Sequence, residues 1–135
     1  MPYNVTARAY LDRAKRRLLE NTNEAIFYAS LELRCCVEAR QEEYASSLEF
    51  IKAKIKPWRI GETARLLDQV FDRGKIACVT ITIGGSEFAS HYTPVSERLS
   101  KSAVKQLGFL LHCMREFKSD DDEFWRLTRQ KVSAT

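Results

Sequence analysis

Apolar residues recur at helical spacing from the start of the chain. Ala7, Leu11, Ala14 and Leu18 lie three or four residues apart and Thr6 stands ahead of them as a capping residue, so the pattern predicts a first helix over about residues 6–20. Asn21-Thr22-Asn23-Glu24 resets the chain, and Asn21 followed by Glu24 resembles a capping box. A second, unusually long helix is expected to run on to about residue 54. At about 100° per residue, Ile26, Leu33, Val37, Tyr44, Leu48 and Ile51 fall on one stripe of it. Its first half is apolar on nearly every side, which marks it as the central helix. Pro57 closes it. A third helix is predicted over about 60–71, burying Ala64, Leu66, Leu67, Val70 and Phe71, with Gly74 as its terminator.

The period then changes. Residues 75–83 are rich in β-branched side chains, with Val79, Ile81 and Ile83 on one face, and Gly84-Gly85 separates them from a second short segment that ends at Tyr92. This predicts a β-hairpin over about 75–92 with a two-residue turn. A lone hairpin is marginally stable, so it must lie on the helices or extend a partner's sheet. Strand addition at its unpaired edge is one use for it. Thr93 and Pro94 open a fourth helix, about 96–117, whose core face is Leu99, Ala103, Val104, Leu107, Leu110, Leu111 and Met114. Ser119 with Asp120, Asp121, Asp122 and Glu123 starts a short last helix, docked by Phe124, Trp125 and Leu127. The fold class is mainly α: four to five helices around a long central one, with one hairpin insertion, in a single domain over 1–135.

The 135 residues suffice to bury one core without staples, and 44% apolar with 30% charged residues is an ordinary globular balance. No apolar leader is visible in the first residues, and the stretch 25–39 is too short and too charged to span a bilayer. The expected location is the cytoplasm, with no membrane contact. Cys35, Cys36, Cys78 and Cys113 have no CxxC spacing, so they read as reduced, packed thiols and no zinc site is expected. GxGxxG, GxxxxGK[ST], HExxH and GxSxG are all absent, and no cofactor is expected.

A net charge of +4 does not by itself argue for nucleic acid, but the basic residues cluster. Arg13, Arg16 and Arg17 form one patch, and Lys52, Lys54, Lys56 and Arg59 another. Each is either a solvated face or a phosphate-contacting surface, for which RNA is the candidate.

Three charges interrupt the apolar part of the second helix. Arg34 and Glu38 are four apart and meet on one face, while Glu32 points about 160° away from Arg34. Charges there need partners from other elements, a cleft or a subunit contact. His112 lies on a face with Lys101, Lys105 and Gly108, opposite the core of the fourth helix. A mid-helix glycine costs about 1 kcal/mol relative to Ala and often marks a close approach. This face therefore packs against the second helix or a second subunit. His112 meeting Glu32 or Glu38 is either a satisfied hydrogen bond or an acid–base pair able to cleave RNA.

The segments Tyr28-Ala29-Ser30-Leu31-Glu32-Leu33-Arg34 and Leu107-Gly108-Phe109-Leu110-Leu111-His112 resemble the HEPN-like helical superfamily. Many members are small prokaryotic proteins of toxin–antitoxin or phage-defence loci. The resemblance implies a bundle that dimerises and, in catalytic members, a metal-independent ribonuclease carrying Arg four to six residues before His. That pattern is missing: neither His91 nor His112 has an Arg at that distance, and Lys105 stands seven before His112. The resulting expectation is a non-catalytic interaction or dimerisation module, a homodimer or part of a protein complex, contacting RNA. The alternative is a ribonuclease using His112 with Glu32, Arg34 or Glu38.

Overall fold

In a computed structural model of the chain, the described residues are 3–46, 54, 56, 59–70, 77–92, 95–112, 116 and 118–135. They form five helices and one two-stranded antiparallel hairpin. These are α1 (Ala7–Leu19), α2 (Asn23–Ser46), α3 (Ile60–Val70), β1 (Ala77–Ile83), β2 (Ser86–Tyr92), α4 (97–111) and α5 (Glu123–Ser133). The architecture is mainly α with a hairpin insertion, as the periodicity predicts. No described helix is long and apolar enough to cross a membrane.

Local chemistry explains the boundaries. Thr6 caps α1 by accepting a hydrogen bond from the Ala9 amide at 3.3 Å. Between α1 and α2 the work is divided differently from a capping box on Asn21. Asn21 adopts a left-handed conformation, φ +54°, which terminates α1, and the Thr22 hydroxyl accepts from the Ala25 amide at 3.1 Å to start α2. Ser96 caps α4 through the Leu99 amide, and Asp122 caps α5 through the Phe124 amide.

α2 adjoins every other described helix and is the central one. Ala14 of α1 and Ala29 of α2, both fully buried, let those helices approach closely, and Ile26, Leu33 and Val37 pack in one core with Leu107, Leu110 and Trp125. Leu48, Ile51, Phe71, Gly74 and Met114, expected to shape these elements, lie outside the described residues. A buried amide ties three helices at one end of the core. Gln41 Nε2 of α2 donates to the Ile60 carbonyl of α3 at 3.2 Å and to the Ser100 hydroxyl of α4 at 3.1 Å.

Three helices depart from the expected faces. α4 is interrupted by a π turn, Ala103–Leu107, between its two α-helical parts, and it stops at Leu111 because His112 is extended (ψ 155°). A π turn holds an extra residue and rotates the faces of the next helical turn. Ala103, Leu107 and Leu110 are buried, whereas Val104 is 42% exposed. In α5, Trp125 docks, but Leu127 is exposed and Thr128 and Val132 take the core positions. Val70 of α3 likewise faces out, and Ile60 is buried at the start of the same helix.

Candidate functional site

Glu32 sits on the side of α2 that faces α1. Its Oε2 accepts from Arg13 Nε at 2.8 Å, with both side chains only 15% exposed, and its Oε1 accepts from the Tyr3 hydroxyl. Arg13 also donates to the Asn4 carbonyl at 2.7 Å and lies over the rings of Tyr3 (4.1 Å) and Tyr10 (4.5 Å). Burial pulls the Arg13 guanidinium down, but the hydrogen bond to Glu32 and the charges around it outweigh burial and hold the pKa above its ordinary value. Burial raises the thiols of Cys35 and Cys36, with Glu38 and Glu43 respectively adding to the effect.

Arg34 and Glu38 form a separate pair, Nε to Oε1 at 3.2 Å, on the side facing α4. Arg34 Nη1 lies 3.7 Å from where a Cβ on Gly108 would be. Gly108 itself therefore lies against α2, at ordinary van der Waals spacing rather than one that only glycine tolerates, whereas Lys101, Lys105 and His112 of the face expected to pack with it are exposed. His112 follows at the exposed end of α4. The hydrogen bonds of Glu32 go to Arg13 and Tyr3, and that of Glu38 comes from Arg34. Glu32 and the Arg34–Glu38 pair thus face different neighbours and do not converge on one centre.

The two basic patches also separate. Arg13 is committed to Glu32, Arg17 pairs with Glu20 and lies over Tyr28, and Arg16 is exposed. Lys54 and Lys56 are exposed, Arg59 pairs with Glu62 at 2.8 Å, and Lys52 lies outside the described residues. Arg59 also lines a cleft of about 290 Å³ with Arg34, Arg65, Lys101, Val104 and Lys105. These residues come from α2, the start of α3 and the first half of α4 with its π turn. Sequence spacing has no means of grouping them, because three helices supply them.

A third feature is the hairpin. Gly84 and Gly85 take φ +58° and +83°, the conformation a tight two-residue turn requires. Ile81 pairs directly with Phe88, and Ile83 lies two residues along the same face. All three are exposed, at 55%, 59% and 66% for Ile81, Phe88 and Ile83. Among the described elements each strand is a close neighbour chiefly of the other. The backbone register sets Cys78 opposite His91.

Among the described residues, no group of three or more His, Cys, Asp or Glu side chains is placed to hold a metal ion. Comparison with protein-family models, with curated proteins and with solved structures finds no match for this chain.

Proposed function

We propose that this protein is a non-catalytic helical interaction module that works as a pair of copies joined through the hairpin. The observation that carries the reading is the exposed Ile81–Phe88–Ile83 face on a two-stranded sheet. A free hairpin is marginal in water, and three large apolar side chains on one face make it worse unless that face is covered. The occupant argued for is the hairpin of a second copy, laid face to face. The face carries no charge, since Thr80, Thr82 and Glu87 alternate to the other side, so it matches an uncharged surface such as itself. Neither strand carries Lys or Pro, the usual guards of an exposed strand.

Size sets the strength. Three side chains contribute roughly 100 Å² each, so two hairpins alone bury well under the ~1,200 Å² of a stable interface. The pairing is accordingly weak and concentration-dependent. The HEPN-like resemblance and the prokaryotic defence or stress setting it implies belong to the same proposal. Ribonuclease action by His112 gains no comparable support, because Glu32 and Glu38 already answer to Arg13 and Arg34.

The test is the solution mass of the wild type and of Ile81→Lys/Phe88→Lys, measured by light scattering over micromolar to millimolar concentration. The wild type should approach twice its 15.6 kDa as concentration rises, and the variant should stay at that mass. A wild type that stays monomeric throughout, or a variant that dimerises equally, overturns the reading.

A further inference from the structure

The cleft beside the π turn has an arrangement that the hairpin does not explain. Five cationic side chains from three helices and the approach to α3 line it: Arg34, Arg59, Arg65, Lys101 and Lys105. Among the described residues, Glu62 is the one acidic side chain in the lining. Three of the cations are already answered, since Arg34 pairs with Glu38, Arg59 with Glu62 and Lys101 with Glu97. Among the described residues, Arg65 and Lys105 make no such pair. Lys56 adds to the field, because it and Arg65 help Arg59 hold the Glu62 carboxyl below its ordinary range. The hydrogen bond and charge of Lys101 hold the Glu97 carboxyl below its ordinary range, and Arg65 adds to them.

Two further features shape the cleft. The π turn carries Val104 out of the core to its wall, where it is 42% exposed, and Ile60 and Gly61 form an apolar floor next to it. Behind the floor, Gln41 bonds the Ile60 carbonyl and Ser100, which fixes the start of α3 against α4. The cleft is therefore a braced pocket with an apolar wall and a cationic rim.

We infer that this cleft binds a small phosphorylated organic ligand, with the phosphate on Arg65 and Lys105 and the organic part against Val104 and Gly61. Guanidinium and ammonium donors suit phosphate oxygens, and Arg65 offers a planar fork for two of them. About 290 Å³ falls near the lower end of small-molecule pockets and fits a ligand no larger than a mononucleotide. A neighbouring cleft of about 570 Å³ shares Lys101 and Lys105 and adds Arg98, so a long polyanion crossing both is the competing outcome.

The experiment uses the full chain and isothermal titration calorimetry with adenosine 5′-monophosphate, inorganic phosphate and a single-stranded RNA octamer at matched ionic strength. The proteins are wild type, Arg65→Ala, Lys105→Ala and the control Lys131→Ala, an exposed lysine of α5 outside the cleft. The mononucleotide should bind at least tenfold tighter than inorganic phosphate. Arg65→Ala and Lys105→Ala should each weaken it about tenfold, as the loss of one charge-assisted contact does, and Lys131→Ala should not. Val104→Asp should abolish binding while leaving the far-ultraviolet dichroism unchanged. The inference is overturned by no heat with the mononucleotide, by equal affinity for the two phosphates, or by equal weakening in the control. RNA affinity far above that of the mononucleotide, lost in Arg98→Ala as well, overturns it in favour of the polyanion.

Discussion

Replacing Glu32 by Leu should cost the fold about 2 kcal/mol. The carboxylate lies 2.8 Å from Arg13 Nε, with both side chains 15% exposed. At an effective dielectric near 20, two unit charges about 4 Å apart attract by about 4 kcal/mol, and partial exposure roughly halves that. Leu keeps the volume but leaves the Arg13 cation facing a low-dielectric wall, with Nη2 already buried and without a hydrogen-bond partner. Removing both charges in Arg13→Leu/Glu32→Leu should therefore recover part of the loss. A double-mutant cycle should return a coupling of about 1–2 kcal/mol. Urea unfolding followed by circular dichroism measures each variant. Because the pair is largely shielded, about 1 M NaCl should leave most of the coupling intact. A Glu32→Leu effect below about 0.5 kcal/mol, or a coupling that salt abolishes, would mean that the pair is effectively a surface one and would refute the reasoning.

The same packing predicts other outcomes. Gly108→Ala should raise stability by about 0.5–1 kcal/mol in thermal unfolding, since its helical backbone and the 3.7 Å to Arg34 Nη1 leave room for a methyl group. A loss would show that the contact between Gly108 and Arg34 of α2 cannot absorb a methyl group. Gln41→Leu should cost about 1–3 kcal/mol, because it strands the buried Ser100 hydroxyl and the Ile60 carbonyl, and Ser100→Ala should cost less. The raised thiol pKa values keep Cys35 and Cys36 protonated at neutral pH, and the thiolate is the reactive form. Alkylation of the peptide containing both should lag free cysteine at neutral pH. It should quicken only as pH rises past the ordinary thiol range of about 8.5, read by mass spectrometry.

Much of the helical frame is legible in the chain because local chemistry decides it. Thr6 caps where expected, Gly84-Gly85 turns where expected, and Ile26, Leu33, Val37 and Tyr44 are the stripe that α2 buries, whereas the cap of α4 is Ser96, which the sequence pattern places inside the helix behind Thr93 and Pro94. The positions that periodicity misplaces are those that neighbours decide. The π turn in α4 has no local signature, so regular helical spacing puts Val104 in the core when the fold turns it out. Leu127 yields its place to Thr128 and Val132, because the side of α5 that meets α2 is fixed by Trp125, whose indole N–H donates to the Ser119 carbonyl at 2.9 Å. The need of Glu32 for a partner is visible as a charge in an apolar run, but the partner is not. Arg13 reads as part of a solvated or RNA-contacting patch until α1 folds back onto α2. The cleft cations stand in three separated segments, and only the tertiary fold brings Arg65 next to Lys101 and Lys105.

The most direct test of the hairpin pairing is amide hydrogen exchange of residues 77–92 at increasing protein concentration. Protection confined to these amides and rising in step with the solution mass is the predicted result. Exchange that is equally fast at every concentration, or slow even in the dilute monomer, would contradict a hairpin that owes its cover to a second copy.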